Sequence, residues 1–352
     1  MPRKKVQPTT AADLHNDITN GIATLPEQTV TELVKSLSRA DIVTAAVYNR
    51  EQAMSLVGLY QDIQKLRVGA SNKVSAHERN VDILADSALI KQLKKELAKV
   101  EAQAARGLEA YAEAQPLGKW CLSILGVGPV ITAGLLAHID LTKAPCPSSI
   151  HKFAGLLAKE DQRWEKGKKR PYNARLKTLC WLLGECFKRA GMSNEKAALT
   201  ADQLSVMKPE ERSLHFKRKA AIESSGGLYV RLYRERKEQE ISRNESGSLT
   251  GRAMMLLEEA EKNRRKLSPE QIEAWSNGKL QPVGLDLRAK RFAVKIFLNH
   301  YFEVGREIMG LDAVQPYIFS GHARAAGLGE HVHRYAVPNW PLTGVEKAVM
   351  IE

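Results

Sequence analysis

Gly126-Val127-Gly128-Pro129 constrains this chain more than any other stretch. An apolar helix over Trp120–Leu125 runs into the turn, and a second apolar helix starts at Pro129 and continues through Leu136. Gly126 and Gly128 are free to take positive φ and to let another backbone come close. Pro129 suits the first turn of a helix, where its missing N–H costs nothing. The pattern reads as a helix-hairpin-helix. In that reading the turn N–H groups and the helix N-terminus form a small anion site, fitted to one phosphate of a nucleic-acid backbone. Such a contact recognises backbone and carries no base sequence. The plainer reading is a helix–turn–helix connection whose glycines serve packing alone.

Helical periodicity dominates the rest of the chain, and no alternating strand pattern stands out in its N-terminal part, so the expected class is all-α. Residues 1–74 read as a helical N-terminal region, with apolar faces from Thr29 to Leu37, from Ile42 to Tyr48 and from Glu51 to Leu66, and with Asp41 as a candidate cap. Gly58 interrupts the last of these. Residues 75–117 read as a long charged helix, a helical hairpin or a coiled coil with a part in assembly, because Leu89, Leu93, Leu97 and Val100 follow an imperfect heptad. Pro116 and Gly118 mark the next boundary, and the hairpin domain is expected over 118–310. Charged insertions fall near 191–226 and 241–283, and 311–352 reads as an irregular tail. Further helices are expected over 176–190, 227–240, 251–266 and 285–309, with one more capped by Ser268-Pro269-Glu270.

The formal net charge is +13, which favours polyanionic partners, nucleic acid before an acidic membrane. The basic residues concentrate behind the hairpin. Lys159, Arg163, Lys166, Lys168, Lys169, Arg170, Arg175 and Lys177 lie within one loop and helix start, with Trp164 and Tyr172 among them. That mixture suits a surface that tracks phosphates and stacks on bases or sugars. The expected contacts are therefore Gly126, Gly128, Lys166, Lys168, Lys169, Arg170, Tyr172 and Arg175. Four scattered cysteines without a Cys-x-x-Cys pair suggest reduced thiols and a cytoplasmic protein. No apolar stretch follows the basic residues at 3–5, and no run reaches the roughly 20 apolar residues of a membrane span, so neither a signal peptide nor a membrane partner is expected.

The order of these features resembles the C-terminal domain of insertion-sequence transposases of the 110/116/902 group, transposase family 20. The residues that carry the resemblance are Gly126–Leu136, Ala154-Gly155-Leu156, the basic stretch Lys169–Arg175, Tyr229-Val230-Arg231-Leu232 and Lys290–Lys295, together covering roughly residues 100–310. Such proteins join a RuvC-like metal domain to a C-terminal domain bearing a nucleophilic serine, and a structured RNA guides them. The resemblance implies DNA as partner, structured RNA as an alternative ligand, and a role in DNA transposition. Two parts of the pattern are absent. Asp13, Asp17, Asp41, Asp62 and Asp82 sit in helical or loose contexts, which do not suit a two-metal site. Residues 150–192 hold no serine, so the hydroxyl nucleophile expected after the Ala-Gly-Leu turn is missing. The expectation is a DNA-binding relative without its own catalytic residues, metal or cofactor, acting as a homo-oligomer; the alternative is a divergent recombinase subunit that works with a catalytic partner or guide RNA. His322, His331 and His333 lack partners at metal-ligand spacing, and Ser224-Ser225-Gly226-Gly227 lacks the Lys-Ser/Thr ending of a phosphate loop.

Overall fold

The computed structural model describes residues 39–79, 87–157, 167–196, 227–312, 314 and 335–341. Among them are eleven α-helices, one 3-10 turn and no strand. The class expected from periodicity is the class observed. Helix α1 (Arg39–Thr44) and a 3-10 turn lead into α2 (Arg50–Arg79), which is followed by α3 (Ser87–Ala114). Asn49 and Gln52 each accept from the other's backbone N–H at 2.9 Å, closing a capping box at the start of α2. Helices α2 and α3 pack antiparallel: Tyr60, Gln64 and Arg67 converge on Glu101, while Ala53 and Val57 meet Leu108 and Tyr111. The long charged stretch is thus the second arm of a helical hairpin. The boundary expected at 74/75 falls inside α2, which runs unbroken from Arg50 to Arg79.

The second hairpin consists of α4 (Pro116–Ser123) and α5 (Pro129–His138). Pro116 occupies the first turn of α4, and Gly118 lies inside it. A Cβ on Gly118 would stand 2.0 Å from the carbonyl oxygen of Ala112, so this residue lets α4 fold back against the end of α3. The boundary expected at 117/118 is therefore internal to a helix. Arg50 ties the two hairpins together at the C-terminus of α5. It donates to the carbonyls of Ala137 and His138 and pairs with Asp140 at 2.7 Å. Asp140 also accepts from the backbone and hydroxyl of Thr142. These bonds satisfy carbonyls that the end of a helix leaves open.

Around the second hairpin lie α6 (Pro147–Phe153), α7 (Ala174–Lys196), α8 (Leu228–Glu245) and α11 (Pro282–Ile308). Trp120 stacks on Phe297 with ring centroids 5.5 Å apart, and Tyr229 packs on both Phe187 and Phe297 at 5.3 Å. This aromatic centre places α4 and α7 in fixed relation. The 335–341 strap closes over it: Trp120 donates to the Pro338 carbonyl at 2.9 Å, and Asn339 donates to the Ser123 carbonyl at 2.9 Å. Part of the tail read as irregular is thus bound to the core. Residues 197–226 lie outside the described residues, as do His322, His331 and His333. The stretch expected as a charged excursion over 241–283 begins within α8, and its helices α9 (Thr250–Lys262) and α10 (Pro269–Ser276) enclose a small core around Trp275. Ser268 and Gln271 form the capping box of α10.

Two ion-pair clusters join α8 and α11 to the core. Glu240 has no exposed surface and is met by Arg236 at 2.5 Å, Arg288 at 2.6 Å and Arg243 at 3.4 Å. Asp286 accepts from Tyr233 at 2.5 Å and pairs with Lys290 at 2.8 Å and Lys188 at 3.2 Å, and Lys290 also meets Glu185. Burial raises the pKa of Asp286, but its bonds to Lys290, Tyr233 and Lys188 outweigh that and bring it down to about 2.

Candidate nucleic-acid interface

The hairpin has the expected turn, with one of its two glycines in the expected conformation. Gly126 has φ +91°, and a Cβ there would lie 3.3 Å from the Cys186 carbonyl oxygen and 3.4 Å from the Phe187 ring. The close backbone approach is to α7 of the same chain. Gly128 does not take positive φ: it is extended, with φ −95° and ψ 170°, and caps α5 with Pro129 at the first position. Extended backbone is what an N-cap position requires, and other residues adopt it readily. A Cβ on Gly128 would meet open space, so the outer edge of the turn is uncovered. Among the described residues the N–H groups of Gly126, Gly128, Val130 and Ile131 find no acceptor, and the first turn of α5 carries no acid.

The basic loop stands elsewhere. Lys168, Lys169 and Arg170 are exposed just ahead of α7, whereas Gly126 touches α7 at Cys186. From Arg175 to Cys186 is eleven residues, about 16 Å of helix. The hairpin turn and the basic loop therefore lie at separate points along α7. Arg189, three residues beyond Cys186 and close enough to act on its thiol, is exposed and without an ion-pair partner among the described residues. Its position inside an apolar helical run hid it from a reading by charge clusters.

Arg175 is exposed but leans on α2, and Tyr172 is half-buried. Arg175 lays its guanidinium against Gly58, where a Cβ would come within 2.8 Å of it. The glycine that interrupts α2 is the seat for that side chain. Burial first, then Arg175 and Arg50, lower the pKa of the buried His138. Tyr172 is half-buried against Gly155, with the Lys177 ammonium 4.2 Å from its ring centroid. Asn173 ends the loop: its N–H donates to the Phe153 carbonyl at 2.8 Å and its side chain caps α7 through Leu176 at 3.0 Å. Lys166 and Trp164 lie outside the described residues.

Helix α6 links the loop to α11. His151 is buried, and its Nε2–H donates to the Lys295 carbonyl at 3.2 Å. Burial, then the Lys295 charge, push the His151 pKa down to about 4. Lys295 itself is half-buried, and that burial together with Arg291 lowers its own pKa. Among the described residues neither Arg291 nor Lys295 has a carboxylate partner, and no group of three His, Cys, Asp or Glu side chains is placed to hold a metal. No described helix is long and apolar enough to cross a membrane. No known protein family, curated protein or solved structure matches this chain.

Proposed function

We propose that this chain is a nucleic-acid-binding protein, with DNA as its first ligand, which holds the backbone through phosphates and has no catalytic centre of its own. The observation that carries the reading is the exposed Lys168-Lys169-Arg170 run at the start of α7. From Gly167 to Gly184 the sequence has five Lys or Arg and no Asp or Glu. The uncovered N–H edge at Gly128, ahead of α5, and the exposed Arg189 of α7 offer further phosphate contacts, as expected for backbone recognition. The net charge of +13 and the resemblance to family-20 transposases support a role connected with DNA transposition or recombination; structured RNA is the competing ligand.

Assembly into a homo-oligomer belongs to the same proposal. Leu89, Leu93 and Val100 of α3, and Leu59 and Leu66 of α2, remain exposed at spacings of four and seven residues. Fluorescence anisotropy with duplex DNA, a four-way junction and structured RNA across a salt series tests the binding. The expected result is salt-sensitive binding that weakens in a Lys168→Ala/Lys169→Ala/Arg170→Ala variant. Absence of binding to all three ligands at low salt overturns the reading.

A further inference from the structure

Two aromatic side chains among the described residues are exposed: Trp181 at 51% and Phe153 at 43%. Both lie next to the basic loop. Phe153 ends α6, and its carbonyl holds the N–H of Asn173 at the loop's exit. Lys177, one turn into α7, approaches Gly155, two residues beyond Phe153. Trp181 follows Lys177 by four residues, so the two side chains are neighbours on the helix surface. The opposite side of Trp181 is bounded by α11, whose Lys290 ammonium stands 6.0 Å from the ring centroid. Arg291 and Lys295 continue from there along α11, and the His151 bond to the Lys295 carbonyl returns to α6. The contacts thus form a ring from α6 through α7 to α11.

Among the described residues, Glu185 of α7 and Asp286 of α11 are both engaged by Lys290. Arg291 and Lys295 have no carboxylate partner among the described residues. Helix α6 contains no acid. An exposed tryptophan with Lys177 one turn before it and the Lys290 ammonium at its ring is poorly explained by folding, because it contributes little apolar burial. An unpaired nucleotide supplies what is missing, a π-face for the indole and a phosphate for the cations. A duplex keeps its bases stacked inside and offers only the phosphates.

We propose that the surface bearing Trp181 and Phe153, framed by Lys177, Arg291 and Lys295, is a platform for unpaired nucleotides of a single strand. The platform rests on the nucleic-acid reading and refines it: the chain engages a strand end, bulge or opened segment beside the phosphates held by the Lys168–Arg170 run.

The test compares a fluorescein-labelled 20-nucleotide oligo(dT) with a duplex of the same length, for the unaltered protein, Trp181→Ala, Trp181→Phe and Arg291→Ala/Lys295→Ala. A stacked base removed by alanine corresponds to about tenfold or more in affinity. The expected result is a loss of that size for the single strand in Trp181→Ala, most of it restored in Trp181→Phe, with the duplex changed less than about twofold. The Arg291→Ala/Lys295→Ala variant should flatten the salt dependence of single-strand binding by about one unit of slope. Single-strand affinity unchanged in Trp181→Ala, or lost equally for the duplex, overturns the platform and leaves the nucleic-acid reading standing. Failure to bind either ligand at low salt overturns both. Because the indole is exposed, thermal unfolding of Trp181→Ala and Trp181→Phe should match that of the unaltered protein. If Trp181→Ala abolishes self-association in sedimentation while oligo(dT) binding persists, the indole serves a protein contact and the platform is overturned.

Discussion

Gly126 lies against Cys186 so closely that a Cβ on the glycine would come within 3.3 Å of the cysteine's carbonyl oxygen. The contact seats the hairpin turn on α7, and the φ of +91° makes it. Gly126→Ala therefore meets two obstacles, a left-handed backbone and a fixed backbone neighbour. The left-handed conformation alone costs about 1–2 kcal/mol for a residue with a Cβ. Urea unfolding of Gly126→Ala should show a loss of about 1–3 kcal/mol, whereas Gly128→Ala, extended and facing open space, should lose little. Equal losses at the two positions would contradict this geometry.

Gly118 is the harsher case. A Cβ there would stand 2.0 Å from the Ala112 oxygen, inside any tolerable contact. The α3–α4 corner would have to open, and with it the seat of Trp120 in the aromatic core. The expected loss for Gly118→Ala is about 3 kcal/mol or more, in the range of core overpacking. It should appear as a fall in the unfolding midpoint and as increased fluorescence quenching of buried tryptophan by acrylamide. A midpoint within error of the unaltered protein would rule out the tight corner.

The all-helical class was legible because periodicity reports which face of a helix is buried, and α3, α7 and α11 show it clearly. The register between helices was not legible. Gly58 and Gly118 look like interruptions in one dimension, yet each is where something distant comes close, the Arg175 guanidinium in one case and the Ala112 carbonyl in the other. Glu240 lies in a stretch of alternating charge, which reads as solvated helix, but Arg288 from 48 residues away encloses it. The candidate site divides in the same way. Exposure of Lys168, Lys169 and Arg170 follows from local composition. The seat of the Arg175 guanidinium on Gly58, the partial burial of Tyr172 and the exposure of Trp181 depend on which helices pass behind them.

His151 makes stability depend on pH. Its pKa in the folded chain is about 4, below the 6.5 of a free imidazole, because burial and Lys295 oppose the charged form. The neutral ring, donating to the Lys295 carbonyl, is the form that the fold selects. Its stabilisation is complete above about pH 6.5 and is lost as the pH falls from there toward 4, by up to about 3 kcal/mol. Asp140 and Asp286, both held near 2, act lower, as the pH falls from 3.8 toward 2. Urea unfolding between pH 7.5 and 4.5 should show a decline that His151→Gln makes shallower. Parallel curves for the two proteins would remove His151 as the cause.

The exposed leucines of α3 predict self-association. Leu89 is 70% and Leu93 53% exposed, four residues apart on one helix. Burying one leucine contributes about 1.5–3 kcal/mol, so losing one from an interface weakens it roughly tenfold or more. Leu89→Glu/Leu93→Glu should shift sedimentation velocity profiles toward the monomer while the circular dichroism spectrum stays helical. A protein that is monomeric at every concentration before substitution would refute the oligomer.

Lys168, Lys169, Arg170 and Arg175 are close in sequence, but the fold uses them differently. All four are exposed, but the first three stand ahead of α7, while Arg175 rests its guanidinium on Gly58. Each phosphate neutralised on duplex DNA contributes about 0.9 to the slope of log affinity against log salt. Removing the first three together should lower the magnitude of that slope by about two to three, if each meets one phosphate. Arg175→Ala should alter the slope by less than one and should instead lower the unfolding midpoint, since it takes a side chain from between α7 and α2. Anisotropy titrations from 50 to about 300 mM salt separate the two. If Arg175→Ala flattens the slope as much as the triple variant does, its guanidinium leaves Gly58 when nucleic acid binds. The stability difference between free and bound protein in that variant would then measure the exchange.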